Sequence, residues 1–110
     1  MDQSAYAIVL TTASSEAEAE TLSTALIAAR LAACVNVAPI RSIYHWQGEV
    51  HKESEWQLII KTRLDAFDAI AQKIKELHSY EVPELIALPL ATGSPDYLSW
   101  IDQQLQSPSG

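Results

Sequence analysis

Few residues in this chain could do chemistry, and they are unevenly spread. The candidates are three histidines (His45, His51 and His78), a single cysteine (Cys34) and Lys61 at the end of an apolar run. No two histidines have the i, i+4 spacing or the H-E-x-x-H pattern with which a helix holds zinc. His78 stands apart because Tyr80, Glu81 and Glu84 follow it closely. If His78 ends a helix, the helix dipole favours its imidazolium form. If the finish of the first strand (Thr11 and Thr12) and the start of the first helix lie at the same end of the fold, then an imidazole, a phenol, two carboxylates and a helix N-terminus converge. Such a group can take a cation through His78 and Glu84, take an anion at the helix N-terminus, or lock its own loop by His78–glutamate hydrogen bonds. The residues alone leave all three open. Lys61 falls at the opposite end of the subunit and can meet His78 only across a subunit boundary. His45 and His51 flank a turn, able to face each other across it, and read as solvated hairpin-end residues. Cys34 opens an apolar strand with no base beside it, which suits packing better than nucleophilic attack. Trp46, Trp56 and Trp100 read as packing or interface anchors.

Several other chemistries find no support. With three glycines the chain has neither G-x-G-x-x-G nor a Walker A loop, and no G-x-S-x-G elbow is present, so neither an organic cofactor nor an enzymatic nucleophile is expected. Fourteen acids against seven bases give a net charge of −7, which disfavours nucleic acid and anionic membrane surfaces. One cysteine allows neither an internal disulfide nor a Cys-x-x-Cys pair and suits a reducing, cytoplasmic setting. The start, Met1-Asp2-Gln3-Ser4, lacks the basic and apolar regions of a signal peptide, and no apolar run approaches the ~20 residues that span a bilayer.

The elements that must position these residues can be read from period and punctuation. The chain has 110 residues, 48% of them hydrophobic and 19% charged, enough for one domain with a packed core. Ala5–Leu10 suits a short buried strand. Ser15 and Glu18 have capping-box spacing, and Leu22, Ala25, Leu26 and Ala29 follow one helical face toward Arg30. Cys34–Trp46 reads as a long strand whose apolar parity changes at Pro39, which predicts a bulge or an edge position there. Gln47-Gly48-Glu49 is the expected turn, and Ser54–Thr62 returns as the second hairpin strand. Asp65 is the expected cap of a second helix, with Phe67, Ile70, Ala71, Ile74 and Leu77 on its buried stripe and His78 at its end. Ser79–Glu84 is a connection, and Leu85–Leu90 is a last strand marked as an edge by Pro89. Ser94 and Pro95 start a third helix with an apolar face of Tyr97, Leu98, Ile101 and Leu105, and residues 106–110 form a tail. The order predicts an α+β fold: a ferredoxin-like βαββαβ sandwich, both helices on one face, with an extended hairpin and an extra C-terminal helix.

The hairpin is too long for its own domain. A 13-residue strand extends ~43 Å, whereas a domain of this size is roughly 33 Å across. Ile43, Tyr44, Trp46 and Val50 lie on the surplus length. Either the hairpin bends back onto its own domain, or sister chains cover it in an obligate homo-oligomer that should resist denaturation.

Five segments together carry a family resemblance: Ala33-Cys34-Val35-Asn36-Val37, the run Ser42–Gly48, Ile60-Lys61-Thr62, the run His78–Ile86, and Asp96–Ile101. In this order and spacing the chain resembles the CutA family of divalent-cation-tolerance proteins over nearly its whole length. The resemblance implies a ferredoxin-like homotrimer, similar in architecture to PII signalling proteins, and a role in tolerance of metals, copper above all. It places Tyr44, Trp46, Lys61, Thr62, His78, Tyr80, Glu81, Glu84 and Trp100 at a cleft between subunits. His78 and Glu84 would be the ligands for a divalent copper or zinc ion. Thr11 stands where bacterial relatives argued to ligate copper have a cysteine, and Leu77-His78 where they have two histidines. The alternative implied is a PII-like sensor, taking an anion at Lys61 and the first helix N-terminus, or a signalling scaffold without a specific metal site.

Overall fold

The computed structural model describes residues 5–106. Their order is β1 (Tyr6–Ala13), α1 (Glu16–Ala28), β2 (Cys34–Trp46), β3 (Glu49–Arg63), α2 (Phe67–Leu77), β4 (Ile86–Pro89) and α3 (Pro95–Gln104). The strands form one antiparallel sheet in the order β2-β3-β1-β4. This is the ferredoxin-like arrangement that the sequence predicts. Val9 and Ala13 of β1 and Leu58 and Ile60 of β3 pack against Ala19, Leu22 and Leu26 of α1 and Ile70 and Ile74 of α2 to make the main core. Alternation along the strands turns Ile8, Leu10 and Ile59 to the opposite face. Tyr6 shares their parity, and it packs with Leu98, Ile101 and Leu105. The extra helix α3 therefore caps one end of the face that α1 and α2 leave open.

β1 and β3 are longer than the periodicity suggests, whereas β2 keeps its expected span and β4 is shorter, Ile86–Pro89. β1 runs on through Thr11 and Thr12, whose β-branched side chains suit a strand. β3 begins at Glu49 rather than Ser54, because the turn holds only Gln47 and Gly48. Both have positive φ, 51° and 81°, as a twisted two-residue hairpin turn requires. The bulge expected at Pro39 is absent. Pairing runs without a slip from Cys34↔Lys61 through Pro39↔Trp56 to Trp46↔Glu49. β2 is an edge strand, where a missing N–H need not interrupt a ladder. Asp65 does not cap α2: a 3-10 turn, Leu64–Ala66, precedes that helix, and the Asp65 carboxylate goes to Arg63 instead. Tyr97 leaves the buried face of α3 and stacks on Trp100 at 5.5 Å. The tail residues 107–110 lie outside the described residues.

The hairpin does not bend back. The molecule measures 46 × 26 × 20 Å. β1 ends opposite Trp56, so every rung from Ile40–Glu55 to Trp46–Glu49 projects beyond the three-stranded part. At its tip Ile43, Trp46 and Val50 are 64%, 58% and 67% exposed.

Candidate functional site

The loop between α2 and β4 is held by one histidine. His78 ends α2 with its backbone N–H on the Ile74 carbonyl, and its side chain has no exposure to solvent. Its Nε2 lies 2.6 Å from the Thr12 carbonyl oxygen, while Nδ1 accepts the Tyr80 backbone N–H at 3.0 Å. These partners assign the ring a neutral form with its proton on Nε2. Tyr80 lies against the imidazole at 4.8 Å, and its phenol donates to Glu55 Oε2 at 2.8 Å. Burial first, and then the Glu55 carboxylate, push that phenol far above its ordinary range.

Glu18 closes the same junction from α1. Ser15 caps the helix by accepting the Glu18 N–H, but the Glu18 carboxylate reaches past the expected capping-box partner. It accepts the Ser14 N–H at 2.9 Å, the Ser14 hydroxyl at 3.0 Å and the Ser79 N–H at 2.8 Å. The anion at the α1 N-terminus is thus the chain's own carboxylate. Burial raises the Glu18 pKa, but the Ser14 and Ser79 hydrogen bonds outweigh it and hold the value at about 2. The folded value lies below the unfolded one. Its contribution is therefore complete above the unfolded carboxylate range and disappears as pH falls through about 2. Glu18→Gln should cost roughly 2–3 kcal/mol near neutrality. In urea melts at stepped pH the gap from wild type should close toward pH 2, and a gap that does not change with pH would refute this assignment.

The expected site residues divide into three groups along the molecule. His78, Tyr80 and Glu84 lie beside the end of β1, Glu84 through a long 3.4 Å contact from Gln57 Nε2. Glu81 is exposed on the same loop. Tyr44 and Trp46 sit near the hairpin tip, Tyr44 stacked on His51 at 5.7 Å. Glu53 raises the Tyr44 phenol. Lys61, Thr62 and Trp100 belong to the opposite end. Lys61 pairs with Ile8, four residues or about 13 Å along β1 from Thr12. Its ammonium is engaged by Asn36 Oδ1. Thr62 points to the other face and donates to the Leu31 carbonyl at 2.7 Å. His45 and His51 sit on successive rungs and so on opposite faces of the ribbon, not facing each other. No single subunit unites these groups.

For the ligand role expected of His78, both ring nitrogens already have partners inside the fold. The loop is locked as one of the three readings foresaw, but by Thr12 and Tyr80, with Glu18 Oε2 at 3.9 Å, rather than by Glu81 or Glu84. Among the described residues no group of three or more His, Cys, Asp or Glu is placed to hold a metal. Glu55 and Ser79 carry the site without any signal in the sequence. Nothing in an alternating strand marks Glu55 as its one buried carboxylate, and Ser79 acts only through its backbone.

Known proteins share this fold and sequence. The profile of the CutA1 divalent ion tolerance protein family matches residues 7–104. The divalent-cation tolerance protein CutA of Thermus thermophilus is 48% identical over 95 residues, covering 86% of this chain and 92% of that protein. The structure of the periplasmic divalent cation tolerance protein CutA of Archaeoglobus fulgidus superposes with a TM-score of 0.90 at 36% identity, covering 92% of this chain and 99% of that one. CutA1 of Oryza sativa gives 0.90 at 39% identity, over 92% and 94% of the two chains.

Proposed function

Because the chain belongs to the CutA1 divalent ion tolerance family, we propose that it acts in divalent-cation tolerance as a homotrimer and not as an enzyme. In this reading a divalent ion, copper or zinc, binds in a cleft between subunits. The observation that carries the proposal is the apolar surplus beside an incomplete site. The hairpin tip projects uncovered, and the loop offers the exposed carboxylates Glu81 and Glu84 without a third ligand. A neighbouring hairpin laid against this loop would bury the first and complete the second. Glu81 and Glu84 are then the ligands, and His78 holds the loop that presents them. Hard carboxylate oxygens favour weak, unselective binding over a copper(I) site, which wants soft sulfur. The free Cys34 suits a reducing compartment, so we place the protein in the cytoplasm.

The PII-like reading draws less support, because the features that would take an anion are occupied. Glu18 fills the α1 N-terminus and Asn36 engages Lys61.

Calorimetric titration of Cu²⁺ and Zn²⁺ into wild type and Glu84→Gln tests the metal proposal. Glu84 is exposed, so the variant should fold and assemble normally while binding both metals about tenfold more weakly. Equal affinity in the two proteins would remove the metal site and leave the family assignment standing.

A further inference from the structure

We infer that Glu55 is a positioning residue for the carboxylate loop: acting through Tyr80, it fixes where Glu81 stands relative to Glu84. This role rests on Glu81 and Glu84 being the ligands proposed above. It supplies what neither carboxylate has by itself, a set separation. The segment from Glu81 to Glu84 belongs to no helix or strand. Among the described residues nothing hydrogen-bonds to Glu81, Val82 or Pro83, so the segment is held from its two ends. At one end the Tyr80 phenol donates to Glu55 at 2.8 Å. At the other, Glu84 takes the long contact from Gln57. Glu55 and Gln57 are two residues apart on β3, so they project from one face about 6.6 Å apart. Both are paired to β2, and Gln57 to β1 as well, so the sheet holds the two anchors at a constant distance.

The main-chain bonds of the loop do not do this alone. Ser79 N–H is held by Glu18 and Tyr80 N–H by His78, but a chain fixed only at its amides still turns about the dihedrals that follow. The phenol attaches Tyr80 a second time, a full side chain away from its backbone. With N–H and hydroxyl both held, the direction in which the chain leaves Tyr80 towards Glu81 is set. Glu55 is 8% exposed and makes no ion pair among the described residues. Burying a carboxylate without a cation is costly, and the charge-assisted bond from Tyr80 is the compensation it receives. This contact is internal to one chain and already shielded from water, so it does not depend on the hairpin staying uncovered.

Calorimetric titration of Zn²⁺ into the intact protein and three variants tests the role. Tyr80→Phe and Glu55→Leu should each bind Zn²⁺ about fivefold more weakly, the loss of one hydrogen bond. Glu55→Gln keeps an acceptor for the phenol and should recover most of the affinity lost in Glu55→Leu. Wild-type affinity in Tyr80→Phe would overturn the role. Equal losses in Glu55→Gln and Glu55→Leu would overturn it too, because Glu55 would then act by its charge. So would dissociation of Tyr80→Phe in light scattering, which would assign the bond to assembly. A second measurement needs no metal. Backbone order parameters of Glu81 and Val82 should be near the rigid value of about 0.85 in wild type and fall below about 0.6 in Tyr80→Phe. Wild-type values already low, or values unchanged in Tyr80→Phe, would refute the positioning. A wild type that binds no Zn²⁺ would remove the metal reading instead, and the order parameters alone would then decide whether Glu55 and Tyr80 hold the loop.

Discussion

Leu88→Asp is expected to separate the proposed trimer into single chains and to lower the melting temperature by about 10 °C or more. Leu88 and Ile86 lie on the short edge strand β4, each 49% exposed in one subunit. They extend an apolar face formed by Ile8, Leu10 and Ile59. In a solitary chain an aspartate at so exposed a position should change stability by no more than about 0.5 kcal/mol. In an assembly that buries this face, each leucine withdrawn from water contributes ~1.5–3 kcal/mol, and a buried unpaired carboxylate adds a further penalty. Every copy repeats the loss, and unfolding is coupled to dissociation. Light scattering should give three times the 12.1 kDa chain mass for wild type and one times for the variant, and the wild-type melt should rise with protein concentration. A wild type that scatters as one chain, or a Leu88→Asp protein of unchanged mass and melt, would end the trimer proposal.

The second large effect falls on α3. Asp102 joins that helix to the sheet, one oxygen accepting the Tyr6 hydroxyl and the other pairing with Arg63. Tyr6 is almost wholly buried, and burial first, then Asp102, raise its phenol above the ordinary range. Asp102→Ala is expected to cost ~2–4 kcal/mol in a urea melt, because it strips an acceptor from two groups held away from water. Asp65→Ala is the control. Asp65 acts more strongly than Asp102 on the Arg63 proton, but its side chain is 52% exposed, so solvent screens the pair and the loss should stay within about 1 kcal/mol. Equal losses for the two variants would show that α3 is not fastened through Asp102. Arg30 moors the far end of the same helix. Its backbone sits at φ 58° and accepts the Gln106 N–H, while its side chain caps α3.

Most of the fold was legible in short-range pattern. The stripe of Leu22 and Leu26, the Ser15 and Ser94 caps and the reach of the hairpin are each set by residues near in sequence, and each appears in the structure. Local reading failed where a residue had a competing distant partner. Asp65 looked like a cap until Arg63 claimed it, and Tyr97 looked buried until α3 settled with Leu98 and Ile101 inward. Pro39 suggested a bulge because proline lacks a donor, but the cost vanishes on an edge strand.

Sequence by itself determined the order of strands and helices, the overhanging hairpin and the family, because these follow from periodicity, chain geometry and runs of adjacent residues. Only the tertiary structure decided what His78 does. Its ring could have faced a metal or solvent, and the choice was made by the carbonyl of Thr12, sixty-six residues earlier in the chain, with the Tyr80 N–H on the other nitrogen. A side chain's protonation and availability depend on which groups fold against it, and no local pattern encodes partners brought together by the sheet.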